Sequence, residues 1–184
     1  MSYAQVCEAV TSLKNKHIEK DPFRLCNEMG ILLIPQSLGT DEDAIKGYYL
    51  ESNRIKSITV NTDLPVVIQK IIVAHELGHA VLHGKSIIRE FHQVALFDES
   101  SEKEKDANLF AAELLMDDQD VFETLNDDTT FFTAAARLNV PVELLDFKFR
   151  VMKWKGYKMI EPPITAQSNF LRGMEVPRNA YYCD

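Results

Sequence analysis

Hydrophobic residues early in the chain, and again after residue 60, recur every three or four positions, the spacing that buries one face of a helix. Between these regions, three short runs rich in β-branched and aromatic residues are separated by polar turn residues, a pattern typical of strands. The elements so predicted are helices over residues 2–20, 22–30, 65–83, 102–116, 121–125, 129–138 and 142–154, and strands over residues 30–35, 45–50 and 54–60.

The helix predicted over residues 65–83 has recognisable start and stop signals. Thr62 or Asp63 can cap its first turn, and Pro65 suits the first helical position. Gly84 follows its last residue and can adopt the left-handed conformation that ends many helices. The sequence therefore predicts a long, largely apolar helix directly after the strand region.

These elements predict an α+β fold, with a small, mostly antiparallel sheet at the start and a helical C-terminal part. The length of 184 residues suits one domain. We expect that domain to span residues 1–155, of which 116–155 form the helical C-terminal part. The proline-containing segment 156–184 is expected to be an irregular tail.

Charge and composition exclude several classes of protein. The chain has 28 acidic and 20 basic residues and a formal net charge of -8, which opposes binding to nucleic-acid phosphates, so direct nucleic-acid binding is not expected. Its three cysteines, Cys7, Cys26 and Cys183, are scattered and suggest a reducing compartment. We find no signal-peptide pattern and no apolar run long enough to span a membrane, so we expect a cytoplasmic protein.

A His-Glu-x-x-His motif lies within the helix predicted over residues 65–83. His75 and His79 are four residues apart, so their imidazoles share one helix face and can bind one metal ion, for which zinc is the expected choice. Glu76 lies beside them and can act as the general base toward water at the metal. The alternative, two surface histidines beside an exposed glutamate, conflicts with the apolar residues that flank the motif on both sides.

A catalytic zinc ion usually has three protein ligands, so a third must come from elsewhere. His83 is about 12 Å along the helix axis from His75, too far for a shared ion, and it is interpreted as a cation favoured by the helix C-terminus. The helix over 102–116 is the better source. Glu104 is the preferred ligand from that helix and Asp106 the competitor.

Two neighbours of these acids on the predicted helix 102–116 have other expected roles. Glu102 is expected only to favour the helix N-terminus. Asn108, four residues after Glu104, can orient a ligating histidine through a hydrogen bond.

Two strings of residues, HELGHAVLHG from His75 and EKDANLFAAELLM from Glu104, resemble the ImmA/IrrE family of metallopeptidases. The resemblance implies a zincin-like fold in which His75, His79 and Glu104 bind zinc and Glu76 is the catalytic base. This chain differs from the family pattern at two positions. Asp117 stands where the family usually has proline, and Asp106 stands where it usually has Glu or Gln, which keeps Asp106 open as a ligand.

The resemblance also implies a function, the site-specific cleavage of a repressor-type transcription factor of a mobile element or stress regulon. Family likeness alone suggests that substrate, whereas the motif itself indicates only metal-assisted hydrolysis. The alternative hypothesis is a regulator that contains a metal and binds a transcription factor or DNA without cutting it.

Other features of the sequence carry weaker signals. Tyr48, Tyr49 and His92 could stabilise the oxyanion of a tetrahedral intermediate, although each is more typical of a structural or surface residue. The edge of the strand over residues 54–60 could pair with an extended substrate by strand addition.

Overall fold

A computed structural model describes residues 1–41, 43–84, 96–99, 101–125, 129–158 and 162–164. The elements it contains are α1 (Tyr3–His17), α2 (Pro22–Glu28), β1 (Leu32–Gln36), β2 (Gly47–Ser52), β3 (Ile55–Asn61), α3 (Val66–Gly78), a π-helical turn (His79–His83), α4 (Glu102–Leu115), α5 (Asp118–Thr124), α6 (Phe131–Arg137) and α7 (Val142–Trp154). This order confirms the predicted α+β, zincin-like fold with its helical C-terminal part. Within the described ranges, no helix combines the length and apolar character needed to cross a membrane.

The three strands form one sheet in the order β1-β3-β2. Strand β3 pairs in parallel with β1 on one side and antiparallel with β2 on the other. The sheet is therefore mixed rather than mostly antiparallel, because the chain leaving β1 passes to the far edge of the sheet before it forms β2. Since both sides of β3 are already paired, the hypothesis that this strand offers an edge to a substrate is wrong, and β1 and β2 are the edges.

Strands β2 and β3 form the hairpin that the sequence predicts. Ser52 pairs with Ile55, which leaves a loop of two residues, Asn53 and Arg54. Both have positive φ, 51° and 68°, as a type I′ turn requires. This turn matches the right-handed twist of the two strands and so determines their register.

Helix α3 is the central element, because it packs between the sheet and α4. Every residue from Ile71 to Gly78 is buried, which explains why its sequence is apolar around most of the helix. Gly47 of β2 permits this packing: a Cβ atom there would lie 2.4 Å from Ile72 Cγ2 and 2.8 Å from the Thr59 carbonyl oxygen. The sheet thus lies directly against the helix that contains the His-Glu-x-x-His motif.

The ends of α3 differ in part from the prediction. Pro65 is the N-cap, and no side chain caps the first turn. Asp63 instead accepts hydrogen bonds from Ser37 Oγ and the Gly39 backbone N–H, so it holds the loop after β1 rather than the helix. Gly84 ends the helical segment, as expected, but its φ of 52° and ψ of -136° lie outside the left-handed helical conformation, and the last turn is a π-helical one.

A cluster of buried charges joins α4, α5 and α7. The fully buried Lys148 Nζ lies 2.6 Å from Glu113 Oε2 and 2.6 Å from Asp118 Oδ1. Lys155 pairs with the same two carboxylates from a more exposed position. Although burial opposes its charge, these ammonium groups hold the pKa of Asp118 below its ordinary value. The cluster anchors the C-terminal end of the helix that begins near Glu104.

Replacing Lys148 by Ala should lower the free energy of unfolding by about 3 kcal/mol, because the two carboxylates lose their fully buried cation. Urea denaturation measures this loss. Lys155→Ala is the matched control and should cost less, because its side chain is 22% exposed and screened by water. Equal losses in the two variants would contradict the role assigned to Lys148.

Candidate metal centre

Helix α3 and the π-helical turn that continues it place three polar side chains of the motif inside the protein. His75, Glu76 and His79 are 1%, 2% and 2% exposed, although polar side chains of this kind are seldom so buried without partners. The Nε2 atoms of His75 and His79 face each other at 3.1 Å, as the spacing of four residues predicts. The helix therefore presents two ring nitrogens at one point between α3 and α4.

Helix α4 brings a carboxylate to the same point. Glu104 Oε2 lies 3.1 Å from His75 Nε2, and Glu104 Oε1 lies 3.4 Å from His79 Nε2. The backbone N–H of Glu104 donates to Ser101 Oγ, the N-cap of α4, so the start of the helix determines where this residue lies. His75, His79 and Glu104 form a group of ligand atoms within 4.8 Å of one another.

The proton on His75 can be assigned from its neighbours. Asn108 Nδ2 donates to the Asp98 carbonyl oxygen at 2.8 Å, so the Asn108 amide oxygen must be the atom 2.9 Å from His75 Nδ1. His75 Nδ1 is therefore the donor, as the expected role of Asn108 requires. In the neutral ring this leaves the lone pair on Nε2, directed at Glu104.

The chemistry of this donor set fits a divalent cation. The His75 lone pair and the Glu104 carboxylate oxygen are two acceptors only 3.1 Å apart, an arrangement that positive charge between them stabilises. Two ligands of a tetrahedral zinc ion are about 3.3 Å apart. The three separations at this site, 3.1, 3.1 and 3.4 Å, lie close to that value.

The pKa values of His75, His79 and Glu104 are all shifted by their mutual contacts and by burial. Burial opposes ionisation of Glu104, yet its close contacts with the His75 and His79 rings hold its pKa far below the ordinary value. Burial likewise opposes charge on His75, but the bond with Glu104 and the nearby carboxylates raise its pKa. Burial lowers the pKa of His79, and the charge on His75 adds to this effect. The Glu104 carboxylate thus stays ionised next to the two imidazoles.

Glu76 lies beside this group and keeps one oxygen uncommitted. Its Oε1 is buried and has no hydrogen-bond partner among the described residues. The carboxylate interacts with the backbone N–H of Tyr49 in β2, so the sheet positions it. Burial raises the pKa of Glu76, although the two imidazoles oppose the rise. A buried carboxylate with an open oxygen next to a metal site can accept a proton from water.

Gly78 determines how closely α4 approaches α3, a role that sequence reasoning missed. A Cβ atom at this position would lie 3.1 Å from Phe110 Cδ1 and 3.2 Å from Ala107 Cα. Gly78 in the motif and Ala107 in α4 were the signals in the sequence that the two helices pack closely, because such small side chains take up little space at a helix contact. Without this close approach Glu104 would not reach the two imidazoles.

The structure corrects the interpretation of His83. Its side chain is only 6% exposed, and burial lowers its pKa, against an opposing effect of Asp106, so it is not a cation at an exposed helix end. The π-helical turn directs the ring inward, where Nδ1 lies 3.0 Å from His79 Nδ1. Asp106 also lies away from the three ligand atoms. Its Oδ2 pairs with the N-terminal ammonium of Met1 at 2.7 Å and lies 3.6 Å from His83 Nε2.

The remaining candidates lie outside this group. Glu102 is exposed at the start of α4, as expected for an acid that only favours the helix N-terminus. Tyr49 is buried, and its hydroxyl donates to Glu51 Oε2 at 3.0 Å, whereas the half-buried Tyr48 points to the opposite face of the sheet. His92 lies outside the described residues.

A buried group of two histidines and one glutamate, beside a second glutamate with one unpartnered oxygen among the described residues, is a donor set typical of metallopeptidases. The chain belongs to the Peptidase_M78 family, described as the IrrE N-terminal-like domain, whose model matches residues 26–150. It is also similar to uncharacterized immunity region protein 2 of Bacillus phage phi105, with 32% identity over 146 residues, 79% of this chain and 90% of the phage protein. These findings confirm the family expected from the two strings and support a peptidase that uses a metal.

We expect Gly78→Val to weaken zinc binding by at least about tenfold and to lower the free energy of unfolding by about 1–3 kcal/mol, because α4 must move away from α3. Chelator competition and urea denaturation measure the two effects. Ala136→Val, at an exposed position of α6, controls for the helix propensity of valine alone. Unchanged zinc affinity in Gly78→Val would show that the helix separation does not matter.

Proposed function

We propose that this protein is a zinc-dependent endopeptidase. The observation that supports this most directly is the buried meeting point of two imidazole nitrogens and one carboxylate, contributed by His75, His79 and Glu104. Two histidines and one glutamate are a frequent ligand set of catalytic zinc sites, which keep a fourth position open. Residues 75–79 and 104 all lie within the segment that matches the peptidase family.

Zinc bound by these residues would supply Lewis-acid activation of water and of a peptide carbonyl group. Glu76 would act as the general base, because its buried Oε1 can accept the proton of the attacking water. The same carboxyl group would then deliver the proton to the leaving amine.

The edge of β2 is the better candidate for strand addition by a peptide substrate. Strand β2 is at one edge of the sheet, and the Tyr49 backbone N–H is directed toward Glu76. An extended peptide paired along this edge would pass next to the proposed base. Main-chain hydrogen bonds would then align the scissile bond while side-chain pockets select the sequence.

We propose a repressor-type transcription factor as the substrate. The similar phage protein is named as an immunity region protein, a context that is consistent with a repressor as the protein substrate. The net charge of -8 disfavours direct binding to DNA, which suggests that the protein acts on the transcription factor itself. With a substrate of this kind, we propose that the protein acts in the cytoplasm.

Glu76→Gln should bind zinc as the unmodified protein does and lose at least about 100-fold in the rate of repressor cleavage, because glutamine cannot accept the proton. Gel analysis of purified repressor from the neighbouring genes measures cleavage, and mass spectrometry of the native protein measures zinc content. Glu123→Gln, an exposed position on α5, is the matched control and should cleave normally.

Two results would contradict this proposal in different ways. Cleavage at the normal rate by Glu76→Gln would exclude Glu76 as the base. Relief of repression by Glu76→Gln in cells, without a cut repressor, would instead favour the regulator that binds a transcription factor without cleaving it.

Glu104→Ala should lower zinc affinity by two or more orders of magnitude, because removing the carboxylate leaves only two imidazole ligands. Glu102→Ala changes an exposed acid at the start of the same helix and should leave the affinity unchanged. Competition with a chromophoric chelator measures both values. Equal affinities in the two variants would exclude Glu104 as a ligand.

A further inference from the structure

The π-helical turn after α3 places a third histidine against the metal centre. The His79 and His83 rings have centroids 5.2 Å apart and planes inclined by 48°, and their Nδ1 atoms lie 3.0 Å apart. π-helical turns of this kind are uncommon and often occur at functional sites. In this contact His79 uses Nδ1, whereas its Nε2 atom faces Glu104.

The distance between the two Nδ1 atoms requires a single proton between them. If His79 binds a metal through Nε2, its Nδ1 carries the proton and must donate it to an acceptor. The Nδ1 atom of His83 can accept only when it is unprotonated. The proton of the His83 ring is then on Nε2.

The position of Asp106 agrees with this assignment. Among the described residues, the buried Nε2 atom of His83 has no hydrogen-bond partner, and Asp106 Oδ2 lies 3.6 Å from it. That carboxylate is itself 4% exposed and also accepts from the Met1 ammonium. A buried acceptor on this side favours the Nε2–H form of His83.

We propose that His83 is a positioning residue for the metal ligand His79, and that Asp106 fixes its tautomer. The chain Asp106–His83–His79 has the same role for one ligand that Asn108 has for His75. This inference rests on the proposed metal site. It explains why the third histidine of the motif region is buried although it lies too far along the helix to join the ligand group.

Zinc affinity of the purified apo protein tests the proposal without any substrate. His83→Leu removes the acceptor at similar volume and should weaken zinc binding about 10- to 100-fold. His83→Asn places an amide oxygen close to the position of Nδ1 and should restore affinity to within about threefold of the unmodified protein. His17→Leu controls for the loss of a histidine far from the motif in sequence and should have no effect.

Thermal unfolding of each apo variant separates positioning from folding. If His83 had a purely structural role, His83→Leu and His83→Asn would both be less stable. Their zinc affinities would then not depend on whether the new side chain can accept a hydrogen bond from His79. Zinc binding by His83→Leu within about twofold of the unmodified protein would overturn the proposal. Failure of the unmodified protein to bind zinc would instead overturn the proposed function.

Histidine tautomers in the zinc-loaded protein provide a test that needs no variant. Nitrogen-15 NMR correlations between ring nitrogens and ring carbon-bound protons distinguish a protonated from an unprotonated nitrogen. We expect the proton of His83 on Nε2 and that of His79 on Nδ1. A proton on Nδ1 of His83 would contradict the proposal even if His83→Leu cannot be folded.

Discussion

The close approach of α3 and α4 is the constraint on which the candidate site depends. Glu104 reaches both imidazoles only because Gly78 has no side chain at the point where α4 crosses, next to Ala107 and Phe110. Such tight helix packing keeps the separation nearly constant, since neither backbone can move closer and any retreat opens a cavity. A small residue in a buried contact thereby determines whether three side chains from two elements can share one ion.

Around that contact, the surrounding structure determines how each polar group is oriented. Asn108, itself held by the Asp98 carbonyl, fixes the tautomer of His75, and the backbone of β2 holds Glu76. Buried polar groups are stable only when their partners satisfy them, so the unpartnered Oε1 of Glu76 and Nε2 of His83 are, among the described residues, exceptions that need a chemical explanation. The ion cluster around Lys148 anchors the far end of α4 and so supports the position of Glu104.

Much of the fold follows from local patterns in the sequence. Helical periodicity and helix start signals predicted the seven α-helices of the described residues, and polar turn residues predicted the connection between β2 and β3. The parallel pairing of β1 with β3 was not predicted, because strand order depends on where the chain crosses the sheet and not on the strands themselves. Asp63 does not cap α3 as expected, because its carboxylate accepts hydrogen bonds from Ser37 and Gly39 in the loop after β1, which is distant in sequence.

By itself, the sequence determined the features that depend on residues close together in the chain. The spacing of His75 and His79 puts both rings on one helix face whatever surrounds the helix, and the two strings around them indicate the family. The sequence left both Glu104 and Asp106 of α4 open as the third ligand, and the tertiary structure decided between them. In the packed helix, Glu104 faces the rings of His75 and His79, whereas Asp106 faces His83. The tertiary structure also decided the environment of His83. A π-helical turn and burial beside Asp106 make this residue a buried neighbour of His79 instead of the cation expected at the helix C-terminus.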